Sequence, residues 1–383
     1  MNGQEKELQC LLWMKETAAI PPAKALRLLE RFGSAEAVYQ ASTEELAKIC
    51  RFDARERQRL QTRSLAPSSR IIERCRALGI SILPITDAAY PARLKEIYDP
   101  PLALYVRGTL PDLSVIPAVA VVGQRKATPY GLINAEKIAF HLSQNGVCVV
   151  SGMAAGIDSA GHRGALRGET PTVAVFGTAI DRCYPAENAA LLRDILYRGA
   201  AVSEYPPGEG SHRASFVRRN RIISGLCLGV VVAEAPKKSG SLITASLALE
   251  QGRDVFAVPG GVDSPASEGC NELIANGAQL VRSAQDILTQ YGFTAEEPPR
   301  RPRKAAERRT QPVSMTARSV AEASEKQPEP GGDPVLDAID GILHLDEISR
   351  RTGIPAGVLM GRLTLLELKG YLRQLPGQYY ERI

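Results

Sequence analysis

The chain has 383 residues, 44% of them hydrophobic and 23% charged, which is material for two or three folded units and excludes a disordered chain, a collagen-like rod or a single small module. Forty-seven Lys and Arg against 42 Asp and Glu leave a net charge of +5, so an anionic partner is permitted but not demanded. Seven cysteines without C-x-x-C spacing and four dispersed histidines supply no zinc framework; no metal is expected, and a reducing compartment fits best.

Residues 1–10 are polar and carry no signal-peptide pattern, and no run approaches the roughly 18 apolar residues of a membrane span, so a cytoplasmic protein without membrane insertion is expected. Residues 1–80 are rich in Leu, Ala, Glu and Arg at helical spacing, punctuated by Pro21-Pro22, Gly33 and Ser42-Thr43-Glu44-Glu45. They predict a small helical domain of SAM or helix-hairpin-helix type. Pro91, Pro100 and Pro101 mark residues 84–108 as a bridging segment with a strand-like piece at 102–106.

From residue 115 the pattern changes. Short apolar runs at 118–122, 147–150, 172–176, 200–203, 228–233 and 255–258 read as strands buried on both faces, and 130–144, 187–197 and 242–251 read as helices. Strand and helix in such alternation predict an α/β domain over 81–293 with a doubly wound, mostly parallel sheet. Right-handed crossovers then bring the strand-to-helix turns to one edge. Residues 294–333 are proline-rich and basic, with Arg300, Arg301, Arg303, Lys304, Arg308 and Arg309, and predict a disordered linker. Residues 334–383 predict a winged helix: apolar helices near 335–339 and 345–351, a turn at Thr352-Gly353-Ile354-Pro355, a helix to Lys369, and a hairpin about Pro376-Gly377.

The turns on the predicted edge hold the informative residues. Gly123-Gln124-Arg125 leads into a helix after Pro129, offering close backbone approach, free N–H groups and a fixed positive charge. Ser151-Gly152 opens a second small-residue turn. Beyond Glu234, Lys237-Lys238-Ser239-Gly240-Ser241 runs into a helix containing Thr244, a further phosphate cradle. Phe216 precedes Arg219, Asn220 and Arg221, where arginines would meet phosphates and the ring would stack a base. A glycine turn alone is equally a tight connection; several on one edge with an arginine run point to a polyanion. Arg218, Arg219 and Arg221 cannot share one helix face, so at least one is expected in an ion pair with an acid such as Glu204 or Glu234. None of the turns is G-x-G-x-x-G or carries the P-loop lysine, so no nucleotide cofactor is expected. His162 lacks a neighbouring nucleophile and reads as structural, and no catalytic residue is assigned.

These motifs, with Ser203-Glu204, Glu250-Gln251-Gly252-Arg253 and Gly269-Cys270-Asn271-Glu272-Leu273-Ile274, closely resemble those of the DNA-processing family DprA, also called Smf, over about residues 84–290. The resemblance implies an extended Rossmann-like core with a helical N-terminal domain and a C-terminal winged helix. It implies a homodimeric protein without enzymatic activity that binds single-stranded DNA, protects incoming strands and loads RecA recombinase in natural transformation, with single-strand-binding protein as a further partner. Carried over, Gly123, Arg125, Ser151, Gly152, Phe216, Arg219, Asn220, Arg221, Lys237, Lys238, Ser239, Gly240, Ser241 and Thr244 would line the DNA groove. The chain departs from the family pattern at Gln124, where serine is usual, Ala155 for arginine, Gly161 for alanine and Val217 for proline; Lys237, Lys238 or Arg163 are candidates to replace the charge missing at Ala155.

Two other readings compete. Rossmann-like phosphoribohydrolases of nucleoside monophosphates carry P-G-G-x-G-T followed by paired acids, but here Pro259-Gly260-Gly261-Val262-Asp263 lacks the Gly-Thr. A winged-helix regulator would read DNA with 356–369, where Arg362 and Lys369 are the only cations.

Overall fold

The computed structural model describes residues 3–210, 212–293, 333–354, 359, 361–363, 366–367, 370–375 and 379–382. The chain divides into two compact units, Met1–Arg301 and Pro302–Ile383. Except for Asp333, the expected linker 294–333 lies outside the described residues.

In the first unit nine strands form one sheet: β1 (Ser81–Pro84), β2 (Ala103–Gly108), β3 (Ala118–Gly123), β4 (Cys148–Ser151), β5 (Thr172–Phe176), β6 (Ala200–Ser203), β7 (Gly229–Glu234), β8 (Asp254–Ala257) and β9 (Gln279–Leu280). Their order is β1-β2-β6-β5-β4-β3-β7-β8-β9, parallel from β6 to β9, with β2 antiparallel to β6 and β1 antiparallel to β2. The six apolar runs are β3 to β8. Their side chains alternate between two cores. Ala118, Ala120 and Val122 enter one with Val230 and Val232, while Val119 and Val121 enter the other with Val231. Helices Pro129–Gln144, Ile157–Leu166 and Ala284–Gln290 cover the second face; Ala189–Arg198, Arg213–Leu226 and Gly240–Glu250 cover the first.

The helices of residues 3–77 pack on that first core, with Trp13 fully buried. Arg63 lies 4.8 Å over the Trp13 ring and donates to the carbonyl of Ala41, closing the bundle. Lys15 donates to the Glu204 carbonyl at 2.7 Å and Tyr105 to Glu16 at 3.0 Å, joining bundle and sheet. Residues 84–108 do more than bridge. β1 and β2 extend the sheet at its β6 edge, and the prolines fall in the connection between them.

The second unit contains helix Pro334–Asp337, β10 (Ile342–His344), helix Leu345–Thr352, β11 (Leu372–Leu375) and β12 (Tyr379–Arg382). The strands pair antiparallel in the order β10-β12-β11. Gly353, at φ 72°, ends the helix, as its left-handed backbone requires. Pro355, Lys369 and the Pro376-Gly377 turn lie outside the described residues. The small β10 strand was not anticipated; a three-residue strand leaves little periodic signal.

His162 is the structural histidine expected. Thr172 Oγ1 donates to the Val149 carbonyl at 2.6 Å and therefore accepts from His162 Nδ1 at 2.8 Å, which fixes the neutral tautomer. Burial, reinforced by Arg219 and Arg163, pushes its pKa down from 6.5 to about 3. The unfolded chain then binds the extra proton between those values, so the stability from neutral His162 is complete above about 6.5 and lost as pH falls toward 3. The thermal midpoint is expected to decline between about pH 7 and pH 5, above the ordinary carboxylate range, and less so in His162→Gln. Equal declines in the two proteins would refute this assignment.

Candidate nucleic-acid interface

β3 runs on through β4, β5 and β6 to one side, while β7, β8 and β9 lie on the other. The chain order therefore reverses between β3 and β7, and their carboxyl ends open a crevice of the kind in which such sheets hold ligands. A cleft of about 730 Å³ occupies this place, bounded by the 122–126 turn, helix Arg213–Leu226 and the start of helix Gly240–Glu250.

The turn after β3 is held by Glu234 at the end of β7. Its carboxylate, 2% exposed, accepts from Gln124 Nε2 at 2.7 Å, from the Thr128 N–H at 2.8 Å and from the Thr128 hydroxyl, and its carbonyl accepts the Gln124 N–H at 2.8 Å. Gly123 is needed there, because a Cβ would stand 2.5 Å from Ile157 and 2.7 Å from the Glu234 carbonyl. So held, the turn carries Arg125 and Lys126, both exposed, into the cleft lining.

Helix Arg213–Leu226 contributes Arg213, Phe216 and Asn220 at the i, i+3, i+7 spacing of one helical face. Its first turn rests on Gly177: Ser215 donates to the Gly177 carbonyl at 2.5 Å, and a Cβ at Gly177 would stand 2.8 Å from the Phe216 ring. The ring lies 5.8 Å below the Arg125 guanidinium and 5.3 Å from the half-exposed Tyr184 ring. Arg125, Phe216 and Tyr184 thus form a cationic and aromatic surface suited to a base and its phosphate. Across the cleft, Ser239 caps helix Gly240–Glu250 by accepting the Ser241 N–H, and its hydroxyl meets that of Ser241 at 2.7 Å. A Cβ at Gly240 would meet nothing within 4 Å, leaving the backbone open to approach.

Helices Arg213–Leu226 and Gly240–Glu250 lack an acid in their first turn, whereas the start of helix Pro129–Gln144 is already met by the Glu234 carboxylate. Arg213 and Lys238 stand at the two acid-free ends instead, where a macrodipole ordinarily favours an acid. Helix termini and cations therefore add to one positive field. Asp158 is the one carboxylate lining the cleft among the described residues, and it accepts the N–H groups of Gly152 at 3.1 Å and Ala154 at 3.3 Å. Burial raises its pKa, with Arg219 and these donors pulling the other way.

The residues expected at the groove divide in this structure. Gly123, Arg125, Phe216, Arg219, Asn220, Lys238, Ser239, Gly240, Ser241 and Thr244 line the cleft, and Gly152 lines a side cavity of about 100 Å³ beside Tyr184. Ser151 is buried and donates to the Val121 carbonyl at 2.6 Å, stitching β4 to β3. Lys237 lies 3.7 Å from Glu268 and outside the cleft lining, as does Arg163; Lys238 is the candidate replacement that lines the cleft. Arg219 is 5% exposed and donates to the carbonyls of Gly152 and Val175; burial pushes its pKa down to about 10, so it stays cationic at neutral pH. A Cβ at Gly152 would strike this guanidinium, so the glycine serves the arginine's seat. Arg221 stands away from the cleft. Its Nη2 donates to both Glu204 oxygens at 2.7 and 2.8 Å and its Nε to Asp99 at 3.1 Å, the ion pair expected of one arginine in this run. Lys126, Tyr184 and Arg213 went unnoticed in the sequence; the helical spacing of Arg213 to Phe216 and Asn220 would have exposed it, whereas Tyr184 sits on a loop with no local signal.

A family profile described as DNA recombination-mediator protein A matches residues 81–292, and one described as the DprA winged helix domain matches residues 319–378. The DNA processing protein DprA of Streptococcus pneumoniae is 48% identical over 209 residues, 55% of this chain and 73% of that protein. The protein Smf of Synechocystis is 34% identical over 390 residues, 97% of this chain and 98% of its own. The X-ray structure of the Streptococcus pneumoniae protein superposes with a TM-score of 0.65 at 39% identity, covering 76% of this chain and 99% of that one. DNA processing protein A of Helicobacter pylori, whose structure is described for its single-stranded DNA binding mode, superposes with a TM-score of 0.51 at 30% identity over 55% of this chain and 95% of that one.

Removing Arg221 leaves the buried Glu204 carboxylate with only the more distant Arg218, 3.6 Å away, an expected loss of about 3 kcal/mol. Arg125→Ala gives up only an exposed cation–π contact and is expected to change stability by less than about 1 kcal/mol. Urea unfolding of the two variants distinguishes these roles; equal losses would contradict the division.

Proposed function

From the premise that the chain belongs to the DprA (Smf) family of DNA recombination mediators, we propose that it binds single-stranded DNA in the cleft between the ends of β3 and β7, without chemical change to the strand. The observation that carries this reading is the convergence of four exposed cations, Arg125, Lys126, Arg213 and Lys238, with the Phe216 ring on a cleft flanked by two helix starts that lack acids. Phosphates meet the cations and the Ser239–Ser241 backbone, and a base stacks beside Phe216 and Tyr184, a mode that tolerates any sequence. Both oxygens of Glu234, and Oδ2 of Asp158, accept from the donors that shape the turns, so the role of these carboxylates is positioning.

The finer part of the reading follows the family resemblance: a homodimer that protects incoming strands and loads RecA recombinase in natural transformation, with single-strand-binding protein as a further partner. The winged helix is assigned to support. Among its described residues every arginine has a carboxylate partner: Arg350 with Glu347, Arg351 with Asp340, Arg362 with Asp333, Arg373 with Glu381 and Arg382 with Asp337. Such cations are spent before a DNA backbone arrives.

If four phosphates are neutralised, the logarithm of affinity for a short oligothymidylate is expected to fall against the logarithm of salt with a slope of about −3. Arg125→Ala with Lys126→Ala and Arg213→Ala should reduce this slope to about −1, as followed by fluorescence anisotropy. An affinity indifferent to salt would reject the electrostatic reading. Deleting residues 294–383 is expected to leave strand binding nearly unchanged; complete loss would move the interface to the tail. On strands coated with single-strand-binding protein, the intact chain is expected to hasten RecA filament growth and the triple variant to fail. Equal rates with and without the chain would refute the loading role.

A further inference from the structure

Residues 1–80 carry fourteen Lys and Arg against ten Asp and Glu, and part of this excess gathers at one place remote in sequence from the cleft. Helices Thr43–Ile49 and Ala54–Leu60 are joined by a turn at residues 50–53. The two acids beside the turn are committed. Asp53 Oδ1 accepts the Glu56 N–H at 2.7 Å while Glu56 accepts the Asp53 N–H at 2.8 Å, a reciprocal cap on the helix start. Glu56, largely buried, also holds Lys24 at 2.7 Å. Arg57 donates to the Phe52 carbonyl at 3.2 Å and so braces the turn.

Arg51, Arg55 and Arg59 remain. All three are exposed, and no carboxylate among the described residues lies within ion-pair distance of them. Arg55 and Arg59 stand four apart on the short helix, where like charges face each other and oppose helix formation. Arg27, exposed on helix Pro22–Phe32, lies close enough to this turn to pull the Cys50 thiol down against the burial that raises it. Asp53, the exposed acid of the turn, feels Arg59 but is outnumbered, and an exposed face whose cations outnumber its acids is complementary to a polyanion.

We propose that the Arg51, Arg55 and Arg59 face is a second, separate contact for the phosphate backbone of the single strand held in the cleft. This rests on the strand-binding reading of the cleft and extends it: the cleft grips a short stretch, and the helical face takes phosphates only from a strand long enough to reach it. Contact is by charge, without base readout, because no exposed aromatic ring lies among residues 50–60.

The test uses the full chain with two oligothymidylates, one of roughly eight nucleotides and one of roughly forty, titrated across salt concentrations. The native protein is expected to show a slope about 2 units steeper for the long strand than for the short one, since three further phosphates are neutralised. The Arg51→Gln, Arg55→Gln, Arg59→Gln variant is expected to lose that difference, to bind the long strand at least tenfold more weakly at low salt, and to bind the short strand as before. The corresponding triple Lys variant retains the native long-strand slope, because the contact needs charge rather than a guanidinium fork. An unchanged long-strand affinity in the Gln variant, a native slope independent of strand length, or a Lys variant as weak as the Gln variant would each overturn the proposal while leaving the cleft reading intact. A native protein that binds neither strand would overturn the cleft reading, and this inference with it.

Discussion

The buried carboxylate of Glu234 is the constraint on which the rest of the interface depends. It sits at the end of β7 and gathers donors from Gln124 and Thr128, so the loop that leaves β3 is tied to the strand across the crevice. A buried carboxylate is tolerable only when its oxygens are so occupied. The tie also explains the small residues around it: Gly123 presses on the Glu234 backbone and Gly131 on its side chain, leaving no room for a Cβ at either. With the loop fixed, Arg125 and Lys126 have no carboxylate partner among the described residues and remain available to an outside anion.

The same division of labour recurs along the rim. Inner polar groups are paired with the protein itself, as in Asp158 with Gly152 and Ala154, Arg221 with Glu204, and Arg219 with two main-chain carbonyls. Of the outer groups, Arg213 and Lys238 meet helix starts that carry no acid. The positive field of the cleft is therefore maintained by the fold, and the chain accepts some helix-dipole repulsion at Arg213 to maintain it. The Gln124 side chain, where the resembling family commonly has serine, belongs to the inner set because its amide is spent on Glu234.

Much of this was legible in the sequence because burial on both faces leaves continuous apolar runs, which gave β3 to β8 and hence the edge where the turns meet. The β1–β2 extension was obscured by prolines that mark the connection rather than the strands, and β9, with two residues, is too short to leave a pattern. At the interface, residue type located the segments but did not decide which side chains face outward. Arg219 and Arg221 look alike in sequence, yet one lines the cleft from beneath and the other is consumed by Glu204. Lys237 and Lys238 are neighbours, yet only the second lines the cleft. Partner choice in three dimensions decided these cases, and Tyr184 entered through a loop whose course no local periodicity records.

The most direct measurement is a crystal structure of the full chain bound to a short oligothymidylate. The account predicts phosphate oxygens within hydrogen-bonding reach of Arg125 and of the main-chain N–H groups at Ser239–Ser241, a base against Phe216, and an unbroken Arg221–Glu204 pair. A strand lying along the amino-terminal edge of the sheet, or held by the winged helix with the cleft empty, would contradict it.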